Sequence, residues 1–167
     1  MYATDDQYMR VTTIIIFLIS NLSCFGQTKY PDHYKTDLFD GVLFAKSDNV
    51  YVKASSANPT RKEVYAAERL LADKIDSVLK DFNKTSKVPV EIRKKYTGYK
   101  RQYFAYITNI GQKVIILSFY YSPGVLLKNK RSMTPRVADD GWDNNWRISF
   151  NTVTRQFFDF QVNSLGG

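Results

Sequence analysis

One strongly amphipathic helical segment constrains the fold of this chain more than any other feature of its sequence. Thr60 and Glu63 match a capping box, in which two side chains satisfy free backbone donors in the first helical turn. The apolar residues that follow recur at the spacing of one helical face. We therefore predict a helix from about Thr60 to Phe82 with one apolar face, formed by Val64, Ala67, Leu71, Ile75, Val78 and Phe82.

Aromatic-rich β segments follow the helix and form two local hairpins. The four segments span residues 101–108, 114–121, 146–151 and 156–162. Hairpin strands pair antiparallel, and a helix must cover the apolar face that they create. The predicted fold class is therefore α+β, with one long amphipathic helix packed on a curved antiparallel sheet of four or five strands.

Alternation within the second hairpin predicts which residues share a face. Inward positions recur every second residue along a strand. The two predicted sets are Trp146, Ile148 and Phe150 on one strand, and Phe158, Phe160 and Val162 on the other.

The segments outside these elements carry weaker signals. Residues 27–37 are polar and are predicted to be a flexible leader, and residues 38–167 form a single domain by length. Within that domain, residues 38–44 are predicted to form a turn followed by a short edge strand. Residues 50–52 are a second candidate short strand, and 83–90 form a basic loop.

The start of the chain has the layout of a secretory signal peptide. A single positive charge, Arg10, precedes an apolar run of about a dozen residues, which is shorter than a bilayer span. We expect residues 1–26 to be a signal peptide. Met9 suits its start better than Met1, because Asp5 and Asp6 are out of place in a positively charged first region. The expected localisation is periplasmic or secreted.

Two processing routes remain open at the end of this segment. Cleavage before Gln27 would place the small residues Gly26 and Cys24 at the preferred positions. Alternatively Cys24 is lipidated and anchors the protein in the envelope, although Asn21 stands where a lipoprotein signal usually has Leu. Cys24 is the single cysteine, and the two routes either remove it or block its thiol with a lipid. Intrachain disulfides, cysteine nucleophiles and cysteine-ligated zinc are therefore excluded.

The charge balance indicates anionic partners. The chain carries 24 Lys and Arg against 16 Asp and Glu, a net charge of +8. Such a charge attracts polyanions without specifying a fold. For an exported protein the expected partner is an envelope component such as an anionic lipid or glycan, and nucleic acid is disfavoured. Membrane contact would come through the signal peptide or a Cys24 lipid.

A basic stretch with interleaved tyrosines follows the predicted helix. Cations and aromatic rings together could hold phosphates or stack on sugars. A solvated loop followed by a charged edge strand is the alternative. Arg136 could extend this patch if it lies beside it. The candidate binding residues are Arg93, Lys94, Lys95, Tyr99, Arg101 and, further along the chain, Trp142.

An acidic turn provides the densest group of oxygen ligands. Asp139, Asp140 and Asp143 flank Gly141, and carboxylates on a turn can bind calcium. The spacing does not match an EF-hand, and tight turns favour the same residue types. These three residues are the candidate metal ligands, and no cofactor is predicted.

No catalytic constellation stands out. His33, the one histidine, would have to be the base of any catalytic triad, but it lies in the predicted leader without an assignable carboxylate. Asp143 and Asp159 could form the carboxylate pair of a glycan-acting enzyme only at a suitable separation.

The order of elements resembles known helix-on-sheet families. It is similar to cystatin-like, NTF2-like and PepSY domains over roughly residues 42–162, but residues 112–116 lack the glycine of the cystatin inhibitory loop. The chain also resembles small exported Gram-negative bacterial proteins of unknown function, which implies export and no particular activity. The matching pieces are Arg101-Gln102-Tyr103, Gly111, Asp139-Asp140-Gly141 and Phe158-Asp159-Phe160.

These observations favour a non-catalytic exported domain that binds a ligand or partner at the cell envelope. One alternative is a glycan-acting enzyme that uses Asp residues near the end of the sheet. The other is an inhibitor or partner protein that pairs through sheet edges.

Overall fold

The long helix and the two hairpins organise the observed structure. The computed structural model describes residues 29–82, 88–121, 133–137 and 142–162, which form seven strands and two α-helices. In chain order these are β1 (Asp32–Lys35), β2 (Asp40–Leu43), β3 (Ser56–Ala57), α1 (Arg61–Phe82), α2 (Val88–Lys95), β4 (Lys100–Ile107), β5 (Lys113–Tyr120), β6 (Asn145–Asn151) and β7 (Phe157–Val162). The α+β class and the long helix are confirmed, but the described sheet has seven strands where four or five were predicted, and a second, shorter helix accompanies the long one.

Helix α1 begins with the predicted capping box. The Thr60 backbone N–H donates to Glu63 Oε2 over 2.9 Å, and the Glu63 N–H donates back to Thr60 Oγ1 over 3.3 Å. The predicted apolar face is buried against the sheet, apart from Phe82, whose side chain lies outside the described part of the chain. Its buried residues are Val64, Ala67, Leu71, Ile75, Val78 and Leu79.

The strands form one mixed sheet in the order β1-β2-β4-β5-β6-β7, and β3 pairs with β4 off this path. Both predicted hairpins are confirmed as the antiparallel pairs β4–β5 and β6–β7. The pair β2–β4 is parallel, because α1 lies between these strands and returns the chain to the same end of the sheet. The predicted purely antiparallel sheet is therefore wrong at this pair.

The segment before α1 has more structure than its composition predicted. Residues 32–35 of the predicted flexible leader form β1, and Asp32 in this strand accepts two hydrogen bonds from Arg61, of 2.7 and 2.8 Å. Strand β2 is flanked by β1 and β4, so it is not the edge strand expected for 38–44. Residues 50–52 form no strand, whereas Ser56–Ala57 do.

Helix α2 replaces the end of the predicted basic loop. It starts at Val88, and Pro89 occupies its first turn, where no intrahelical bond from a backbone N–H is required. The remainder of the predicted loop, residues 83–87, lies outside the described residues.

The sheet buries apolar side chains on both faces. The face under α1 and α2 carries the larger core, which includes Tyr103, Leu117 and Ile148. The opposite face carries a smaller core, which Tyr51, Val52 and Met133 partly cover. Its buried members are Val42, Phe44, Phe104, Ile116 and Tyr120. The segments around residues 51 and 133 thus form a third layer over part of the sheet.

Gln102 fixes residues 133–137 over this second face. Its side chain is fully buried, where its amide nitrogen donates to Thr134 O over 2.8 Å and its Oε1 accepts from the Arg136 N–H over 2.9 Å. Gln102 therefore sets the position of Arg136 relative to the strands.

Strand β7 departs from the predicted alternation at one residue. Asp159 has a positive φ of 53°, and the register with β6 shifts between Arg147 and Ser149. As a result Phe157 and Phe160 pack against the larger core, whereas Phe158 is 36% exposed. The prediction that Phe158 faces the core is wrong, because the bulge reverses the faces beyond it.

Candidate functional site

The exposed cations of the predicted basic patch are engaged on the surface of α2. Arg93 Nε lies 2.9 Å from Asp76 Oδ1 on α1, and Lys94 Nζ lies 2.8 Å from Glu91 Oε1 one turn away. Surface ion pairs of this kind contribute little stability, but they neutralise the local field. The two residues therefore form a balanced, solvated surface.

Lys95 connects α2 to the turn that precedes β6. Its ammonium donates to Asp143 Oδ2 over 2.6 Å and to Asn144 Oδ1 over 2.9 Å. The Tyr99 hydroxyl donates to the Asp143 carbonyl oxygen in the same cluster. Lys95 thus holds α2 and the turn before β6 together.

The predicted metal site receives no support from this cluster. Asp143 is 4% exposed and its carboxylate is already paired with Lys95. Asp139 and Asp140 lie outside the described residues, and the residues that are described hold no group of three potential metal ligands.

Arg101 and Tyr99 are buried, so their prediction as surface binding residues is wrong. The Arg101 Nε lies 3.0 Å from Glu68 Oε1, and both side chains are almost completely enclosed. The guanidinium also donates to the carbonyl oxygens of Tyr96 and Tyr99, over 3.3 and 2.6 Å. Tyr99 itself is 1% exposed.

The buried pair has a third member in Tyr103. Its hydroxyl donates to Glu68 Oε1 over 2.8 Å. Burial raises the pKa of Glu68, and the adjacent Arg101 opposes that rise. Burial, followed by the charge of Glu68, raises the pKa of Tyr103 well above its usual value, so its hydroxyl remains a donor. The cluster is a structural connection between α1 and β4.

His33 belongs to a second half-buried cluster at the β1–β2 pair. Its Nε2 lies 2.6 Å from Asp40 Oδ1, and Lys100 Nζ lies 3.1 Å from the other oxygen. The sequence offered no assignable carboxylate for His33, and the fold provides Asp40. In the described ranges no hydroxyl group is hydrogen-bonded to His33.

A concave surface lies on the sheet face opposite the helices. A groove of about 310 Å³ is lined by strands β4–β7 and by the segments around residues 51 and 137. A recess of about 20 Å³, room for roughly one water molecule, adjoins it beside Arg136 and Tyr120. We call both together the sheet groove; Tyr51, Val137 and Arg147 border both parts.

Two arginines give the sheet groove its electrostatic character. Arg147 stacks on the ring of Tyr51 with its guanidinium carbon 4.7 Å from the ring centroid, and Arg136 lies 5.1 Å from the ring centroid of Tyr120. Aromatic faces attract guanidinium groups and leave their N–H donors available at the edge. Each arginine is half-buried and reaches the groove.

Arg136 and Arg147 differ from the other enclosed cations of the described residues in having no carboxylate partner there. Among the described residues, six Lys and Arg side chains are buried or half-buried. Four of them pair with a carboxylate: Lys95, Lys100, Arg101 and Lys113. Arg136 and Arg147 form no ion pair with any carboxylate in the described ranges. Both line the same groove.

Tyr120 lines the recess and carries a buried hydroxyl group. Tyr120 is 5% exposed, and its Oη has no hydrogen-bond partner among the residues that the structure describes. Burial raises the pKa of Tyr120 to about 12, so the hydroxyl is protonated and can donate. An unsatisfied buried hydroxyl is energetically unfavourable unless a ligand or water completes it.

The two carboxylates considered as an acid pair are far apart in the fold. Asp159 lines the sheet groove, whereas Asp143 contacts Lys95 of α2 on the opposite side of the sheet. They cannot flank one glycosidic bond. Trp142 begins a short turn beside Asp143, and its side chain lies outside the described part.

Arg147 is the residue that the sequence analysis missed. It stands between the inward residues Trp146 and Ile148, so strand alternation alone places it on the other face, opposite Ser118 of β5. Arg136 was considered as an extension of the α2 patch, but it belongs to the groove on the far side of the sheet. The signal for this site was therefore present in the alternation of β6.

Comparison of the chain with protein-family models, curated proteins and solved structures finds no match. Within the described ranges, neither helix combines the length and apolar character that crossing a bilayer requires.

Replacing Arg101 by Met should destabilise the protein by about 3–5 kcal/mol, because Glu68 would remain buried without its partner. The Glu68→Leu/Arg101→Met double variant should recover most of that loss. Urea unfolding of the three proteins measures both changes. A single variant as stable as the parent chain would contradict the assigned role of the pair.

Asp40 should contribute to an acid-dependent loss of stability. Burial alone would raise its pKa, but hydrogen bonds from His33 and Lys100 outweigh burial and hold the pKa below its ordinary value of 3.8. The carboxylate therefore contributes stability above about pH 4 that is lost as the pH falls through the lowered pKa. Asp40→Asn should lower the melting temperature at pH 7 and reduce the further fall of the melting temperature as the pH drops below about 4. The exposed Asp37→Asn control should leave this dependence on pH unchanged.

Proposed function

We propose that this chain is a non-catalytic exported domain that binds an anionic ligand at the cell envelope through the sheet groove. The observation that carries the proposal is the pairing pattern of the enclosed cations. Arg136 and Arg147 lack carboxylate partners among the described residues and line one concave surface.

Desolvation makes an enclosed cation without a counter-charge unfavourable. Partial burial of a cation is unfavourable unless a counter-charge or hydrogen-bond acceptors replace the lost water. Lys95, Lys100 and Arg101 satisfy this requirement with carboxylates inside the protein. For Arg136 and Arg147, an anionic ligand would supply the counter-charge that no described carboxylate provides. Arginine is suited to this role because its planar group presents paired donors to a carboxylate or phosphate.

The groove favours binding over hydrolysis. Asp159 is the carboxylate among its lining residues, and Asp143 lies on the other side of the sheet. The glycan-acting enzyme considered from the sequence required these two residues together. A binding role requires only the arginines, the tyrosine rings and the polar groups that surround them.

The location at the envelope rests on the sequence. The pattern of Arg10, the apolar run and the small residues before Gln27 supports export, and Cys24 offers lipidation as the alternative. The helix-on-sheet architecture is compatible with the proposed resemblance to small exported Gram-negative proteins.

The binding proposal is tested with anionic probes on the full chain. The Arg136→Gln/Arg147→Gln variant should lose about tenfold or more in affinity for an anionic polysaccharide such as alginate, measured by calorimetry, because charged hydrogen bonds contribute about 1.5–3 kcal/mol each. The Arg93→Gln/Lys94→Gln control loses the same net charge from α2 and should bind as the parent chain does. Loss of binding in the control instead of the groove variant would assign the site to α2.

The export proposal is tested by intact mass in cell fractions. A soluble-fraction mass that starts at Gln27 indicates a free secreted or periplasmic domain, and an acylated mass that starts at Cys24 indicates an anchored lipoprotein. An unprocessed chain in the cytosol would contradict export.

A further inference from the structure

The sheet groove contains an anion as well as its cations. Asp159 lines the same groove as Arg147, together with the polar and aromatic side chains of Tyr51, Tyr106 and Ser149. Burial, followed by the charge of Asp159, raises the pKa of Tyr106, so the Asp159 carboxylate is near enough to affect the Tyr106 hydroxyl. The bulge at Asp159, with its positive φ of 53°, directs the chain into this arrangement.

A bridging amide connects the two opposite charges without direct neutralisation. Arg147 Nη2 donates to Gln161 Oε1, and Gln161 Nε2 donates to Asp159 Oδ1 over 2.6 Å. Arg147 and Asp159 form no direct ion pair in the described structure. Each therefore retains groups that can contact a ligand, the first as a donor and the second as an acceptor.

The presence of both Arg147 and Asp159 in one groove favours one chemical class of ligand. A polyanion such as polyphosphate would meet Arg147 favourably but would be repelled by Asp159 in the same groove. A ligand in which each carboxylate has hydroxyl donors beside it satisfies both residues. The tyrosine rings and neutral polar groups of the groove add surfaces for an uncharged, hydroxylated body.

We propose that the sheet groove binds an acidic sugar of the uronic-acid type, an inference that rests on the proposed anion-binding function. The sugar carboxylate accepts hydrogen bonds from Arg147 and Arg136, and its hydroxyl groups donate to Asp159. The groove volume of about 310 Å³ is at the lower end of small-ligand sites and suits a short saccharide.

Asp159→Asn is the decisive variant, because the two ligand classes predict opposite signs. Asn tolerates positive φ, so the bulge is expected to survive the change. For trigalacturonate, the variant should weaken binding about tenfold, since a charged acceptor is lost. For polyphosphate, it should strengthen binding, since a repulsive charge is removed. The exposed Asp73→Asn on α1 is the matched control and should change neither.

The outcomes separate this inference from the function on which it rests. Trigalacturonate binding that Arg147→Gln and Asp159→Asn both weaken supports the uronic-acid site. Polyphosphate binding that Arg147→Gln weakens and Asp159→Asn strengthens, with unchanged or absent trigalacturonate binding, overturns the acidic sugar but leaves the anion groove intact. Tighter binding of free glutamate than of trigalacturonate would also overturn it, in favour of an amino-acid ligand. If the Arg136→Gln/Arg147→Gln variant bound trigalacturonate and polyphosphate as tightly as the parent chain does, both proposals would be overturned.

Discussion

The buried ion pair between Glu68 and Arg101 connects the helical layer to the sheet. Glu68 lies on α1, and Arg101 lies on β4, the strand that pairs with β2, β3 and β5. The guanidinium also holds the carbonyl groups of Tyr96 and Tyr99, which follow α2. One side chain thus fixes the long helix, the second helix and the central strand relative to one another. Because the pair is enclosed, its charges contribute to architecture and are inaccessible to ligands.

The same strand supplies the opposite face with a different kind of anchor. Gln102, the next residue, points away from the helices and holds the segment that carries Arg136. Alternation along β4 therefore separates two roles within two adjacent residues: Arg101 organises the core, and Gln102 organises the groove. One strand thus holds a paired arginine in the core and positions Arg136, which forms no ion pair among the described residues, over the opposite face.

The features with local periodicity were predictable from the sequence. The capping box of Thr60 and the two hairpins give strong short-range signals, and the structure confirms them. Strand β1 is short and polar, and its position depends on distant partners such as Arg61, so composition could not reveal it. The prediction of a basic binding patch failed for a related reason. A run of cations does not show which carboxylates the fold brings beside them, and Arg101 meets Glu68 only after the helix packs on the sheet.

The most direct test of this account is a map of where an anionic ligand binds. Titration of the isotope-labelled protein with trigalacturonate, followed by backbone amide chemical shifts, locates the site without any substitution. Binding in the sheet groove should give the largest shifts around residues 118–120, 136–137, 145–149 and 159. Shifts concentrated on residues 91–95 of α2, with the groove unperturbed, would contradict it.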